Sequence, residues 1–297
     1  MHKRIITSVA VVFFGAWLFF ALQEKTDASA LAERGKERSE AEERSRQELI
    51  AKDRKDLLRA LKLVASGDEE GEKLIDLFQQ AVVVRLYGSR RWSEEDSTGK
   101  KLFRDANSKV PRNLWIMPSE KSLRAAHGFI PEANFEYAQS GNGIFTPPPS
   151  TFTDQWLGVR LAHELLHAND YLTGVEPPNP KGAGLTDDFV QGEVRAHNLE
   201  VRLLDRMSNG AFGEILGLIA ERYEPPAGFP ARWFFSDSFD EFVELDKLFL
   251  HARSKEETNS RCGSYNIALN FMYAERLGLG EKGKAAYYRN MSSEKRR

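Results

Sequence analysis

Apolar and polar positions divide the chain into three parts, and the first is an uncharged run from Ile5 to Leu22. A helix of this length is about 27 Å long, close to the hydrocarbon thickness of a bilayer. Lys3 and Arg4 precede the run, and basic residues tend to stay on the cytoplasmic side. The pattern predicts an uncleaved signal anchor over residues 1–22, which crosses the cell membrane once with the N-terminus in the cytoplasm.

Cleavage of the same segment as a signal peptide is the alternative. Small residues at Ala28 and Ala30 form a cleavage site of the usual type. The apolar run is longer than a usual signal-peptide core, and the charged residues Glu24, Lys25 and Asp27 separate it from that site. These features favour the anchor. Either way the remaining domain is expected outside the cytoplasm, in the periplasm if the cell is Gram-negative.

The second part, residues 23–66, is rich in charge. Between Glu33 and Glu48, 11 of 16 residues are charged with mixed signs, so few apolar side chains are left to bury. Opposite charges three and four apart support a helix, and the pattern predicts a solvated helical stalk. Apolar residues return at helical spacing between Ile50 and Val64. Self-association through the stalk is therefore a possible interaction.

The third part, residues 67–297, predicts a helix-rich α+β domain. Apolar positions three and four apart, bounded by Ser or Thr caps and by Gly or Pro, mark its helices. Helices are predicted over 72–81, from a Thr151 or Thr153 cap to 171, and over 187–207, 212–222, 238–252 and 263–277. A strand is predicted over 113–117, and residues 82–87 form either a strand or the end of the first of these helices.

A β-hairpin is predicted directly before the helix that begins near Thr153. The β-prone runs 134–139 and 144–146 flank a turn with the sequence Ser-Gly-Asn-Gly, and an Asn-Gly turn between such runs is a strong hairpin signal. Three consecutive prolines, 147–149, end the second strand.

The helix after the hairpin contains the sequence HELLH, in which His163 and His167 are four residues apart. Side chains four apart share one helix face, so the two imidazoles can bind one metal ion. Glu164 then lies beside the metal, where it can take a proton from a metal-bound water and deliver it to a leaving amine. The pattern predicts a Zn²⁺ site with Glu164 as the catalytic residue. Two ordinary surface histidines are the alternative.

A catalytic zinc ion needs a third protein ligand and an open position. Glu193, on the next predicted helix, is the first candidate for that ligand, and Glu200 and Asp170 are the alternatives. His197 is interpreted as a partly buried helix histidine rather than as a ligand.

The HExxH pattern, followed by Glu193 and three residues later by Ala196, resembles the gluzincin type of zinc metallopeptidase. In that family the HExxH helix and a later helix with a glutamate hold the zinc ion together. The resemblance covers roughly residues 130–205 and implies a zincin-like catalytic domain.

The resemblance also implies a strand before the motif helix, to which an extended peptide substrate adds. Ile144, Phe145 and Thr146 would form that strand. Asp170 lies on the histidine face of the helix, where it can accept a hydrogen bond from one imidazole and orient it. It is the predicted outer-sphere partner of the metal.

Composition restricts the class of partner. Lys and Arg number 42 against 44 Asp and Glu, so no basic surface is predicted and no nucleic-acid partner is expected. The single cysteine, Cys262, excludes an internal disulfide framework and a cysteine-rich zinc module.

These features together predict a membrane-tethered zinc metalloendopeptidase with a peptide or protein substrate. Tyr223, His251 and Tyr265 are candidate donors to the oxyanion of the reaction. Two alternatives stay open: a non-catalytic envelope interaction protein with a structural or vestigial metal site, and a small-molecule metallohydrolase. A structural site has no need of Glu164, which favours the enzyme.

Overall fold

A computed structural model describes residues 36, 40–83, 114–118, 128–130, 143–175, 185–222, 251–253 and 255–294. The predicted anchor, residues 1–22, and nearly all of the predicted helix over 238–252 lie outside these ranges. Within them, none of the helices combines the length and the apolar character that a membrane crossing requires.

Most of the described chain is helical, as the apolar periodicity predicts. The α-helices are α1 (40–65), α2 (Glu69–Gln80), α3 (Asp154–Thr173), α4 (Asp187–Met207), α5 (Ala211–Arg222), α6 (Lys255–Arg276) and α7 (Gly280–Glu294). The predictions of α2, α3, α4 and α5 agree with these bounds to within a few residues. Helix α6 begins eight residues before its predicted start at 263.

The strands form one small mixed sheet. They are β1 (Val82–Val83), β2 (Trp115–Pro118), β3 (Gly128–Ile130) and β4 (Gly143–Thr146), in the order β1-β2-β4-β3. Strand β4 pairs in parallel with β2 and antiparallel with β3, and β1 is parallel to β2.

The antiparallel partner of β4 differs from the predicted hairpin. The predicted partner, 134–139, lies outside the described residues, and β4 instead pairs with Gly128–Ile130. The turn signal correctly marks the start of β4 at Gly143, but it does not determine which upstream segment pairs with it.

The chain divides into two compact units, Met1–Ala51 and Lys52–Arg297. In the first unit, residues 40–51 are helical. In the second, the remainder of α1 buries Leu57 and Leu61 completely. The second unit therefore begins before residue 67, where the sequence places the start of the globular domain, because the amphipathic face of α1 is part of its core.

Helix α3 is the centre of the second unit. Thr153 caps its N-terminus by accepting a hydrogen bond from the Trp156 backbone, and Gly174 ends it with a left-handed φ of 77°. Of its 20 residues, 13 are buried, and it contacts α2, α4, β3 and β4. A helix buried on most sides holds its side chains rigidly, which suits a functional site.

Gly158 lets α1 approach α3 closely. A Cβ at this position would lie 2.2 Å from the backbone oxygen of Ala60, far inside van der Waals contact. We expect Gly158→Ala to destabilise the protein by about 1–3 kcal/mol or more, because a backbone atom cannot move aside without shifting a helix. Urea unfolding measures this free energy.

Gly263→Ala is the matched control. Gly263 lies in α6 with nothing within 4 Å of the added Cβ, so this change should stabilise the protein by about 0.5–1 kcal/mol through helix propensity. Equal stability of the two variants would contradict the close α1–α3 contact.

Candidate metal centre

Helices α3 and α4 bring the predicted ligands together. The Nε2 atoms of His163 and His167 lie 3.2 Å apart. The Glu193 carboxylate faces both rings, with Oε2 at 3.6 Å from His163 Nε2 and Oε1 at 3.7 Å from His167 Nε2. One ligand atom from each residue lies within 4.8 Å of the others.

These separations fit one small metal ion. Zinc binds nitrogen and carboxylate oxygen at about 2.0–2.2 Å in tetrahedral geometry, which puts neighbouring ligand atoms roughly 3.3–3.5 Å apart. The observed 3.2–3.7 Å is close to that range. Two imidazole nitrogens at this distance repel each other when both present lone pairs, and a shared cation removes the repulsion.

The same arrangement keeps Glu193 charged. Burial alone would raise the pKa of Glu193, but the nearby rings of His163 and His167 outweigh it and hold the pKa well below the usual value. A carboxylate is the form that binds metal, so the pKa direction agrees with a ligand role.

A second donor set adjoins the first. His163, His197 and Glu200 also offer ligand atoms within 4.8 Å of one another. Glu200 Oε2 lies 2.7 Å from His197 Nδ1, and Glu200 Oε1 lies 3.1 Å from His163 Nδ1. The two rings are 4.7 Å apart between centroids and meet edge to face. The two sets therefore share His163, through opposite nitrogens of its ring.

Arg160, one turn before the first histidine, joins the carboxylates. Its Nη1 donates to Glu200 Oε1, and its Nη2 lies 3.7 Å from Glu164 Oε1. Glu164 is 5% exposed and Glu200 is 2% exposed, so both carboxylates need a nearby positive charge. Arg160 supplies that charge beside the catalytic candidate Glu164.

The pKa directions follow from these contacts. Burial would raise the pKa of Glu200, but the charges of Arg160, His163 and His197 hold it well below the usual value. Burial opposes protonation of His163, but the Glu200 charge leaves the pKa of that ring raised. Burial lowers the pKa of His197, which favours its neutral form.

Tyr288, on α7, adds a phenol to the same site. Burial raises the pKa of Tyr288, and the nearby negative charge of Glu193 raises it further. Its ring centroid is 6.0 Å from that of His197. The phenol therefore stays protonated and can donate a hydrogen bond toward the ligand set.

Of the predicted oxyanion donors, Tyr223 lies outside the described residues. His251 is exposed, and Tyr265 is buried between the rings of Trp156 and Phe212. Among the described residues, Tyr288 is a tyrosine near His197 and Glu193, and no sequence signal linked it to the motif.

Asp170 forms an ion pair with Arg195 of helix α4. Its Oδ2 accepts a hydrogen bond from Arg195 Nε at 3.0 Å and lies 2.9 Å from Arg195 Nη2. The carboxylate seen in contact with imidazole Nδ1 atoms is Glu200. The predicted orienting contact of Asp170 with a histidine stays a prediction.

The proposed substrate strand is an inner strand of the sheet. In β4, residues Gly143, Ile144 and Phe145 have partners in both β2 and β3, and Thr146 has one in β2. A strand paired on both sides offers no free backbone edge for an added peptide. The edge strands of the described sheet are β1 and β3.

Sequence reasoning placed His163, Glu164, His167 and Glu193 at one site, and the structure brings these residues together. Arg160 was not identified from the sequence, and His197 was interpreted only as a helix histidine. A signal for His197 existed, because it follows Glu193 by one helical turn.

Comparisons with protein-family models, with curated proteins and with solved structures find no match for this chain.

Proposed function

We propose that this protein is a zinc-dependent metallopeptidase that hydrolyses internal peptide bonds. The observation that carries the proposal is the convergence of His163, His167 and Glu193 within 4.8 Å, with Glu164 next to the first histidine. Two imidazoles and one carboxylate form a ligand set that leaves room for substrate on zinc. A buried glutamate beside such a set is the group that a hydrolytic reaction needs and a structural site does not.

The residues have separate tasks in the proposed reaction. A bound zinc ion supplies a Lewis acid, which polarises a carbonyl and acidifies water. Glu164 accepts the proton from the attacking water and passes it to the leaving amine. Tyr288 can donate a hydrogen bond to negative charge that develops on the substrate, since its phenol stays protonated and interacts with Glu193 of the proposed ligand set.

An extended peptide can bind by adding a strand to the sheet. Because β4 is paired on both sides, a peptide would add at an edge of the described sheet, and of its two edge strands, β1 and β3, we propose β3, which pairs with β4. Strands β3 and β4 both contact the motif helix α3. A peptide at β3 would therefore lie along the same helix that bears His163 and Glu164.

The proposed setting is the outer surface of the cell membrane. The support for it is the uncharged run from Ile5 to Leu22, preceded by Lys3 and Arg4. Cleavage after Ala30 would instead release the domain outside the cytoplasm, and N-terminal sequencing of the native protein distinguishes the two.

Metal content and proteolysis test the proposal together. We expect the purified full-length protein to bind about one zinc ion per chain, as a mononuclear catalytic site does. It should cleave an unstructured protein such as casein, lose this activity to a chelator and regain it with added zinc. Elemental analysis and a fluorescent casein assay measure these quantities.

Each outcome has a separate meaning. A folded, zinc-replete protein without bound zinc would contradict the proposal and favour the tethered interaction protein. Bound zinc without hydrolysis of proteins or peptides, but with hydrolysis of small amides or esters, would favour a small-molecule metallohydrolase.

A further inference from the structure

The Glu200 carboxylate lies at the junction of three cationic or hydrogen-bonding side chains. Its Oε2 accepts from His197 Nδ1 at 2.7 Å, and its Oε1 accepts from Arg160 and lies 3.1 Å from His163 Nδ1. All four side chains are buried or nearly so, and Glu200 itself is 2% exposed. Water cannot replace these contacts.

The protonation state of Glu200 fixes the tautomers of the imidazoles that it faces. A carboxylate only accepts hydrogen bonds, so the His197 nitrogen at 2.7 Å must carry a proton. His163 Nδ1 is off the line of an ideal hydrogen bond, but it faces the same negative oxygen at 3.1 Å. A proton on Nδ1 is favoured there, and it leaves Nε2 of His163 with the lone pair that faces Glu193.

The positive charge of Arg160 argues against Glu200 as a metal ligand. The guanidinium already contacts Glu200 Oε1 and also lies 3.7 Å from Glu164. A second cation between His163, His197 and Glu200 would lie close to this permanent positive charge and be repelled. The second donor set is therefore a support for the first rather than another metal site.

We infer that Glu200, held by Arg160, is a positioning residue for the metal centre: it contacts His163 and His197 through their Nδ1 atoms and directs Nε2 of His163 toward the metal. The inference rests on the proposed function, because it assumes that His163, His167 and Glu193 hold the ion. On this inference Glu200 is not a metal ligand, although the sequence alone left that role open for it.

The test is zinc affinity in the Glu200→Gln variant, measured by competition with a chromophoric chelator. The amide has the same shape, but it has one acceptor oxygen in place of two. It therefore cannot serve Arg160 and both imidazoles. We expect the affinity to fall by about 10- to 100-fold, as for other residues that orient a metal-bound histidine.

Glu257→Gln is the matched control, because it neutralises another buried carboxylate. Glu257 is 0% exposed and accepts hydrogen bonds from the backbone of Thr153 and of Arg253, away from the ligand set. We expect this variant to lose stability and to keep wild-type zinc affinity. Equal affinity losses in both variants would indicate a general structural effect and overturn the inference.

A second readout uses the wild-type protein with Co²⁺ in place of zinc. Ring N–H protons of coordinated histidines give hyperfine-shifted NMR signals, and the His163 signal should exchange slowly with solvent because Glu200 is buried beside it. In Glu200→Gln one such signal should shift or exchange faster. If the variant does not fold, the absence of a slowly exchanging His163 N–H signal in the wild-type protein would still overturn the inference.

The failures are distinguishable. Wild-type protein that binds neither metal would overturn the proposed function and this inference with it. Wild-type binding with unchanged affinity and unchanged N–H signals in Glu200→Gln would overturn the inference alone. If Glu200→Gln loses more bound zinc per chain than a Glu193 variant does, Glu200 is a ligand, which also contradicts the positioning role.

Discussion

Glu164→Gln should keep the metal ion and lose peptide hydrolysis by a factor of about 10² to 10⁴, the usual contribution of a positioned acid–base group. The amide cannot accept a proton from water, while the proposed ligands His163, His167 and Glu193 are unchanged. Arg160, which lies 3.7 Å from Glu164, keeps its hydrogen bond to Glu200 in the variant, so we expect the arrangement of the proposed ligands to persist. Steady-state kinetics with a fluorogenic peptide and elemental analysis on the same sample measure the two properties.

The control for this experiment is the same change at an exposed carboxylate, Glu214→Gln on α5, which should keep both metal and activity. The kinetic loss in Glu164→Gln should fall on kcat rather than on KM, because the proton is moved in the transition state. Full activity with bound zinc would exclude Glu164 as the acid–base residue.

Local signals in the sequence were sufficient for the motif helix. The cap at Thr153 and the apolar spacing predicted α3, and the observed helix begins at the next residue, Asp154. The i, i+4 spacing of His163 and His167 depends only on helical geometry, so their convergence to 3.2 Å follows from the sequence itself. Glu193 was accessible through ligand type and spacing, and its carboxylate lies 3.6 Å and 3.7 Å from the two imidazole nitrogens.

Non-local features could not be read in the same way. The packing of the whole unit determines which face of α4 contacts α3. That packing puts both Glu193 and Glu200 beside His163. The sequence shows that the two glutamates are seven residues apart and share a face. It does not show that they contact opposite nitrogens of one ring, which separates the candidate ligand from its support.

The order of the strands in the sheet also could not be predicted from local sequence patterns. The Asn-Gly turn marked the beginning of β4, but pairing with Gly128–Ile130 requires a longer connection than the predicted hairpin. Parallel pairing with β2 depends on residues more than twenty positions earlier in the chain. The role of Ile144, Phe145 and Thr146 as a substrate edge was inferred without that second partner, and two-sided pairing leaves β1 and β3 as the edge strands of the described sheet.

Loss of Glu193 tests the ligand set directly. We expect Glu193→Ala to lower zinc affinity by more than about 100-fold. Loss of a residue that only orients a ligand lowers the affinity by up to that factor, whereas this change removes a proposed ligand atom itself. The structure gives a further reason: the carboxylate is 3.6 Å and 3.7 Å from the two imidazole nitrogens, and no other residue of its donor set carries negative charge. Competition with a chromophoric chelator measures the affinity.

The comparison of Glu193→Ala with Glu200→Gln orders the two glutamates. A larger loss at Glu193 means that this residue binds the ion and that Glu200 acts through His163. The reverse order would place the ion between His163, His197 and Glu200, where Arg160 would have to move away from Glu200 to admit it. Unchanged zinc content in Glu193→Ala would exclude Glu193 as the third ligand and transfer that role to Glu200 or Asp170. Because the two sets share only His163, the relative affinities of these variants locate the metal without a bound structure.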